Sequence, residues 1–155
     1  MSAVSLLINH KNCMGCHACE VACKQEHGLG VGPQLVRVME KAPKFIPIYC
    51  HQCGNAPCQK ACPVDAIVTN EMGIVLVIRE KCIGCRVCVE ACPFDAMQFD
   101  ESVALAMMCD VCIHRLAVGK QTACMGVCPT QCISITGSKK SIASVFERAA
   151  SSVVA

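Results

Sequence analysis

The stretch Lys81-Cys82-Ile83-Gly84-Cys85-Arg86-Val87-Cys88-Val89-Glu90-Ala91-Cys92-Pro93-Phe94-Asp95-Ala96-Met97 decides how this chain reads. Its four cysteines follow the spacing C-x2-C-x2-C-x3-C, and a proline comes directly after the last. Three sulfurs on so short a loop can surround one small object. The fourth sulfur sits on a segment that leads away, and the proline biases that residue against helix.

Outward from this stretch the pattern recurs. Cys13, Cys16, Cys19 and Cys23 form a first group with the same spacing, and Cys82, Cys85, Cys88 and Cys92 form the third. Between them, Cys50, Cys53, Cys58 and Cys62 form a second group whose middle gap is wider. The fourth group is Cys109, Cys112, Cys124 and Cys128, with the widest middle gap. Three groups end alike: Cys62-Pro63-Val64-Asp65-Ala66-Ile67, Cys92-Pro93-Phe94-Asp95-Ala96-Met97 and Cys128-Pro129-Thr130-Gln131-Cys132-Ile133. Cys132 therefore stands where the other repeats carry Ala66 and Ala96. It reads as a small packing residue, not as a ligand, and Cys132→Ala is expected to keep its iron and sulfide.

Seventeen cysteines in 155 residues, with four Phe, one Tyr and no Trp, leave few large side chains to fill a core. Inorganic clusters would fill it and tie the loops together. A secreted disulfide scaffold is the competing reading of such a composition. The start of the chain, Met1 to His10, lacks a basic segment and twin arginines, and its apolar run Val4 to Ile8 is too short for a signal. The longest aliphatic stretch, Ile74 to Ile78, is far short of a membrane span. A cytoplasmic setting with reduced thiols is expected. The formal charge of +2 becomes about −6 once sixteen thiolates and four dipositive clusters are counted. It gives no reason to expect nucleic-acid binding.

Short β segments separate the groups. Strands are expected at Val4–Ile8, Leu35–Met39 and Phe45–Tyr49. Hairpins are expected from Ile67–Thr69 to Ile74–Ile78 around Asn70-Glu71-Met72-Gly73, and from Met97–Phe99 to Val103–Met107 around Asp100-Glu101-Ser102. Single helical turns should follow the third cysteine of each group and stop at the Cys-Pro step. Gly28-Leu29-Gly30-Val31-Gly32 reads as a turn, since no helix follows it to make a phosphate site. Ser141 to Ala155 has apolar residues at helical spacing (Ile142, Val145, Phe146, Ala149, Val153). This tail reads as a helix covering the chain's own core, with docking of a partner as the alternative.

A cubane has four iron corners, each needing one thiolate. The run C-x2-C-x2-C-x3-C-P wraps [4Fe–4S] clusters in paired ferredoxins, where the fourth cysteine serves the other cluster of the pair. Structural zinc instead takes two C-x2-C pairs or a Cys/His mixture. Cysteine triplets at this spacing suit cubanes better, and the five histidines (His10, His17, His27, His51, His114) make no H-x3-H pattern. His17, His51 and His114 lie within groups, where they tune or pack. Four [4Fe–4S] clusters are expected, held by sixteen cysteines.

Several landmarks extend the likeness. They are Cys13-Met14-Gly15-Cys16-His17-Ala18-Cys19-Glu20-Val21-Ala22-Cys23-Lys24, His51-Gln52-Cys53 with Pro57-Cys58, Lys81-Cys82-Ile83-Gly84-Cys85-Arg86, and Cys109-Asp110-Val111-Cys112 with Arg115, Gly119 and Cys128-Pro129-Thr130. Over residues 4 to 136 the chain resembles the four-cluster ferredoxin-type subunits of molybdenum and tungsten oxidoreductases, of the dimethyl sulfoxide reductase and formate dehydrogenase type. It departs from them at Val87, where Tyr is common, and at Thr122 and Ala56, where Pro is frequent. No departure removes a ligand.

The resemblance implies an α+β fold of two nested ferredoxin-like modules of β-α-β-β-α-β type around four cubanes. Residues 1–49 and 93–136 would form the outer module, 50–92 the inner, and 137–155 the tail. With the exchanged fourth cysteine, Cys13, Cys16, Cys19 and Cys128 would hold one cluster, and Cys109, Cys112, Cys124 and Cys23 the second. Cys50, Cys53, Cys58 and Cys92 would hold the third, and Cys82, Cys85, Cys88 and Cys62 the fourth. Pairing group one with two and three with four remains open and changes only the partner of each fourth cysteine.

No catalytic constellation and no flavin, pterin or nucleotide motif is visible. The expected role is a wire. The implied partner is a large molybdenum- or tungsten-pterin subunit of formate dehydrogenase or aldehyde oxidoreductase type, with a flavin or hydrogenase subunit at the far end. Head-to-tail self-association could lengthen the wire. A free-standing polyferredoxin is the alternative; a cluster-based sensor would need a readout domain that the length does not provide.

Overall fold

The computed structural model describes residues 4–137. The tail segment Ser141 to Ala155, read above as a helix, lies outside the described residues. Within them, short antiparallel strand pairs alternate with helical turns, and each strand pair is a sheet of its own.

Strand β1 (Ser5–Ile8) pairs with the final strand β8 (Ile133–Thr136), in the register Ser5 to Thr136 through Ile8 to Ile133. The two ends of the described chain are therefore zipped together, and the Ser5 and Thr136 hydroxyls meet at 2.8 Å. Strands β2 (Val36–Lys41) and β3 (Lys44–Tyr49) form the longest hairpin. Strands β4 (Ile67–Thr69) and β5 (Val75–Val77) make the next pair, and β6 (Gln98–Asp100) and β7 (Leu105–Met107) the last. The Asn70 side chain accepts from the N–H groups of Met72 (3.0 Å) and Ile74 (2.9 Å), and so fixes the β4–β5 turn.

The helices are α1 (Ala18–Glu26), α2 (Pro57–Ala61), α3 (Val87–Ala91), α4 (Ile113–Leu116) and α5 (Ala123–Val127). Four of them begin one residue before the third cysteine of a group and include it, instead of following it. Helices α2, α3 and α5 stop just before Cys62, Cys92 and Cys128, each followed by proline. Group one has Lys24 in place of proline, and α1 accordingly continues through Cys23 to Glu26. Helix α1 packs on α5, and α2 on α3.

The repeat is written in the backbone as well as in the sequence. Gly15 (φ 69°) and His17 (φ 58°) in group one match Gly84 (φ 71°) and Arg86 (φ 64°) in group three. Three residues after the last cysteine of groups two, three and four, Asp65 (φ 50°), Asp95 (φ 54°) and Gln131 (φ 51°) repeat one left-handed turn. These left-handed residues bend the loops back on themselves, so that successive sulfurs face the same side.

Gly84 is the strictest of these positions. A Cβ there would meet the carbonyl oxygen of Ala104 at 2.5 Å, on a backbone that side chains rarely adopt. Gly84→Ala is expected to cost about 1–3 kcal/mol from strain alone. The check is a lowered denaturation midpoint of the anaerobic holoprotein.

The buried apolar residues divide into two clusters. The larger joins Val4, Leu6, Leu35, Ile74, Val111 and Leu116 around Cys23, Cys109 and Cys124. The smaller gathers Ala56, Ile67, Val75, Met97 and Met108 around Cys88. Both cores close on cysteine.

Candidate metal centres

All seventeen cysteines are free thiols, and they gather in four places. The 3-10 turn His10–Asn12 delivers Cys13, and α1 carries Cys19. Together with Cys16, and with Cys128 from the end of α5, they line one cavity; Cys132 lines it too. A second cavity is lined by Cys50, Cys53, Cys58 and Cys92. A third is lined by Cys62, Cys82, Cys85 and Cys88. The remaining four, Cys23, Cys109, Cys112 and Cys124, are all buried and lie close together. The charges of Cys112 and Cys124 act on Cys23, and those of Cys124 and Cys23 act on Cys109. Cys132 aside, three sulfurs in each place come from one group and the fourth from another.

Burial pushes the thiols of Cys19, Cys23 and Cys50 up to about 12 and those of Cys88 and Cys112 up to about 11. Cys109, also buried, is raised well above its ordinary range by the same cause. Neighbouring thiolates add to the rise at each of these sites. Two fourth cysteines behave oppositely. Burial opposes the change at Cys62, yet the backbone N–H groups of Val64, Ala66 and Ile67 hold its thiol below its usual value. At Cys128, burial is likewise outweighed by hydrogen bonds from the Thr130 hydroxyl and from Cys132, and the thiol sits at about 7. Four sulfurs facing one another this closely repel as thiolates unless a cation stands among them. The donor set therefore fits an iron–sulfur group: at least four soft sulfurs in each place.

Backbone amides reach several of these sulfurs. Gln52 N–H meets Cys50 Sγ at 3.5 Å, Ala66 N–H meets Cys62 Sγ at 3.3 Å, Ala96 N–H meets Cys92 Sγ at 3.4 Å and Val111 N–H meets Cys109 Sγ at 3.4 Å. Such bonds stabilise a thiolate and tune a bound cluster.

Side chains complete the frame. Gln52 is almost fully buried; its Nε2 donates to the Cys109 carbonyl (2.6 Å) and its Oε1 accepts from Val75 N–H (2.7 Å). It pins group two to group four and to β5. Gln52→Leu would leave both backbone groups unpaired, at an expected cost of about 2–4 kcal/mol. Chemical denaturation of the anaerobic holoprotein would detect this as a lower midpoint. Arg37 of β2 pairs with the Asp95 carboxylate and also donates to its carbonyl (3.0 Å), which anchors the loop after Cys92.

The two positions that depart towards Thr and Ala have local explanations. Thr122 is fully buried; its hydroxyl caps α5 by accepting from Met125 N–H (3.4 Å) and meets Cys124 Sγ at 3.3 Å. Ala56 has φ 31°, a conformation closed to a proline ring.

The histidines differ in role. His17 bonds to Glu20 and Glu40, and these bonds raise its pKa. His51 stacks between Tyr49 and Phe94, with ring centroids 4.7 and 4.1 Å away, and burial lowers its pKa. His114 meets Glu26 at 2.8 Å. His27, passed over in the sequence reading, lies 3.5 Å from Cys112 Sγ and 3.8 Å from Asp110. Its position four residues after Cys23 was the available signal. The Gly28–Gly32 segment is a loop with no helix after it.

A 4Fe-4S dicluster domain model matches residues 42–138, and a 4Fe-4S binding domain model matches residues 10–26. The chain is 39 % identical over 139 residues to the thiosulfate reductase electron transfer subunit of Salmonella typhi, covering 83 % of this chain and 72 % of that protein. It is 34 % identical over 171 residues to the formate dehydrogenase iron-sulfur subunit of Wolinella succinogenes, covering 92 % and 85 %. A probable anaerobic dimethyl sulfoxide reductase chain of Escherichia coli is 34 % identical over 142 residues, covering 81 % and 69 %. With its cysteines gathered in fours and these relatives on both sides of the reductase and dehydrogenase divide, the chain belongs to the 4Fe–4S dicluster family of iron–sulfur subunits of the dimethyl sulfoxide reductase and formate dehydrogenase type.

Proposed function

We propose that the chain is the wire of an oxidoreductase complex and holds four [4Fe–4S] clusters in a row. Cys13, Cys16, Cys19 and Cys128 hold the first, and Cys23, Cys109, Cys112 and Cys124 the second. Cys50, Cys53, Cys58 and Cys92 hold the third, and Cys62, Cys82, Cys85 and Cys88 the fourth. The observation that carries this reading is the gathering of the cysteines into four sets of four, each with one sulfur from another group. That exchange, with β1 zipped to β8 and α2 packed on α3, supports a module of groups two and three nested inside one of groups one and four.

The clusters supply one-electron acceptance and donation when bound. The chain's residues set their order. Cys124 of the second set acts on Cys19 of the first, Cys50 of the third acts on Cys109 of the second, and Cys58 of the third acts on Cys88 of the fourth. The row therefore runs first, second, third, fourth. Cys16 and Cys85 are the exposed sulfurs, and they belong to the two ends. Beside them Met14 and Ile83 are 56 % and 64 % exposed, an apolar contact at each end of the row. The second set is buried throughout, which keeps water from the middle of the path.

The partner at one end is a molybdenum- or tungsten-containing catalytic subunit, of the formate-oxidising, aldehyde-oxidising or sulfur-compound-reducing kind. The relatives' names support the formate dehydrogenase and sulfur-compound reductase kinds; the metal and the aldehyde-oxidising kind are carried by the family resemblance alone. The test is anaerobic native purification of the tagged chain with metal analysis of each co-eluting band. About sixteen iron per chain with stoichiometric molybdenum or tungsten in a larger subunit is expected. Sixteen iron with no larger subunit would favour a free-standing polyferredoxin; zinc in place of iron would end the electron-transfer reading.

A further inference from the structure

The seventeenth cysteine is not outside the sites. Cys132 lines the cavity of Cys13, Cys16, Cys19 and Cys128, and its Sγ lies 3.5 Å from Cys128 Sγ. The repeat explains why. Four residues after Cys62, Ala66 donates its N–H to that sulfur and lines the cavity of the fourth set. Four residues after Cys92, Ala96 does the same in the cavity of the third. In each case the intervening left-handed residue, Asp65 or Asp95, turns the chain back, and Gln131 does so after Cys128. The side chain at this offset therefore faces the cavity in all three repeats, and only here does it carry sulfur. The backbone is also held in place: the Cys132 carbonyl accepts from Asn9 N–H at 2.8 Å.

We propose that Cys132 is a reserve ligand of the first cluster, able to take the iron corner that Cys128 holds. The exchange is redox-neutral. The Cys132 thiol gives up its proton as its sulfur bonds iron, and the Cys128 sulfur leaves iron and takes up a proton. The iron and sulfide content is unchanged. This set carries one of the two exposed sulfurs, Cys16, so the reserve serves a cluster open to oxidants and competing thiols. Only one of the four sets has this provision.

The proposal rests on the ligand sets given above, and its test separates the two. Cys128→Ala, Cys132→Ala and the double variant are purified anaerobically and compared by iron and sulfide content and by redox titration followed by electron paramagnetic resonance. Cys128→Ala is expected to retain all four clusters, with the potential of one shifted, and the double variant to lose one cluster. Equal loss in Cys128→Ala and in the double variant would overturn the reserve role and leave Cys128 as the ligand. Full iron in the double variant would overturn both the role and the set. Loss in Cys132→Ala alone would make Cys132 the resident ligand and overturn the proposal.

Cys128→Ser guards against misfolding of the alanine variant, because its oxygen can hold the corner weakly. Resonance Raman spectra are expected to show all-sulfur ligation in Cys128→Ser and iron–oxygen ligation once Cys132→Ala is added. Iron–oxygen ligation in Cys128→Ser itself would overturn the proposal.

Discussion

Cys109→Ala is expected to reduce the iron content from about sixteen to about twelve per chain and to stop electron passage between the two ends. Cys109 is buried, and the charges of Cys50 of the next set and of Cys124 and Cys23 of its own act on it. It also lies in the larger apolar core beside Val111 and Leu116. Its loss opens a corner of the second cluster and leaves a void among packed side chains, which together should cost more than about 3 kcal/mol. In the proposed row the second cluster is interior, and no parallel route would bypass it. Iron analysis and stopped-flow reduction with a small electron donor check both parts. Unchanged iron would show that Cys109 is not a ligand.

Removing the clusters is expected to unfold the described core as a whole. Each apolar cluster closes on cysteine, and the strand pairs have three to six residues per strand and stand alone. A single pair of that size is marginal without packing. Anaerobic treatment with an iron chelator should abolish the sharp denaturation transition and leave a far-ultraviolet spectrum of coil; a native-like apo spectrum would contradict this. Reloading should release protons, because the thiols that burial pushes to about 12 at Cys19, Cys23 and Cys50 are protonated at neutral pH. Cys128, held at about 7, contributes less. The sign follows: assembly weakens as pH falls, since protons compete with iron for the raised thiols. Proton uptake on loading would contradict the assignment.

The sixteen grouped cysteines were legible because their spacing is covalent and repeats four times. The strand pairs flanking Asn70 and Glu101 were legible from alternation and turn residues. Strand β8 was not anticipated, although Ile133-Ser134-Ile135-Thr136 alternates in the required way. Its partner β1 lies about 130 residues away, and local pattern does not choose a distant partner. Helix α4 sits inside the long gap between Cys112 and Cys124, where no repeat gives a template. The helices begin two residues earlier than expected because the left-handed residues His17, Ala56 and Arg86 launch them directly. Gln52 and Thr122 were noted as positions, but their partners are set by packing across groups. The proximity of Cys132 to Cys128 was likewise hidden, since alignment with Ala66 and Ala96 argued for size and not for direction.

The central claim is a row of four cubanes in which Cys23, Cys62, Cys92 and Cys128 each serve a cluster begun by another group. Diffraction from anaerobic crystals of the holoprotein at the iron absorption edge tests it most directly. Four iron peaks in one line are predicted, with Cys128 on the peak of Cys13, Cys16 and Cys19, Cys23 on that of Cys109, Cys92 on that of Cys50, and Cys62 on that of Cys82. Fewer than four peaks, or Cys23 bonded to the iron of its own group, would contradict it.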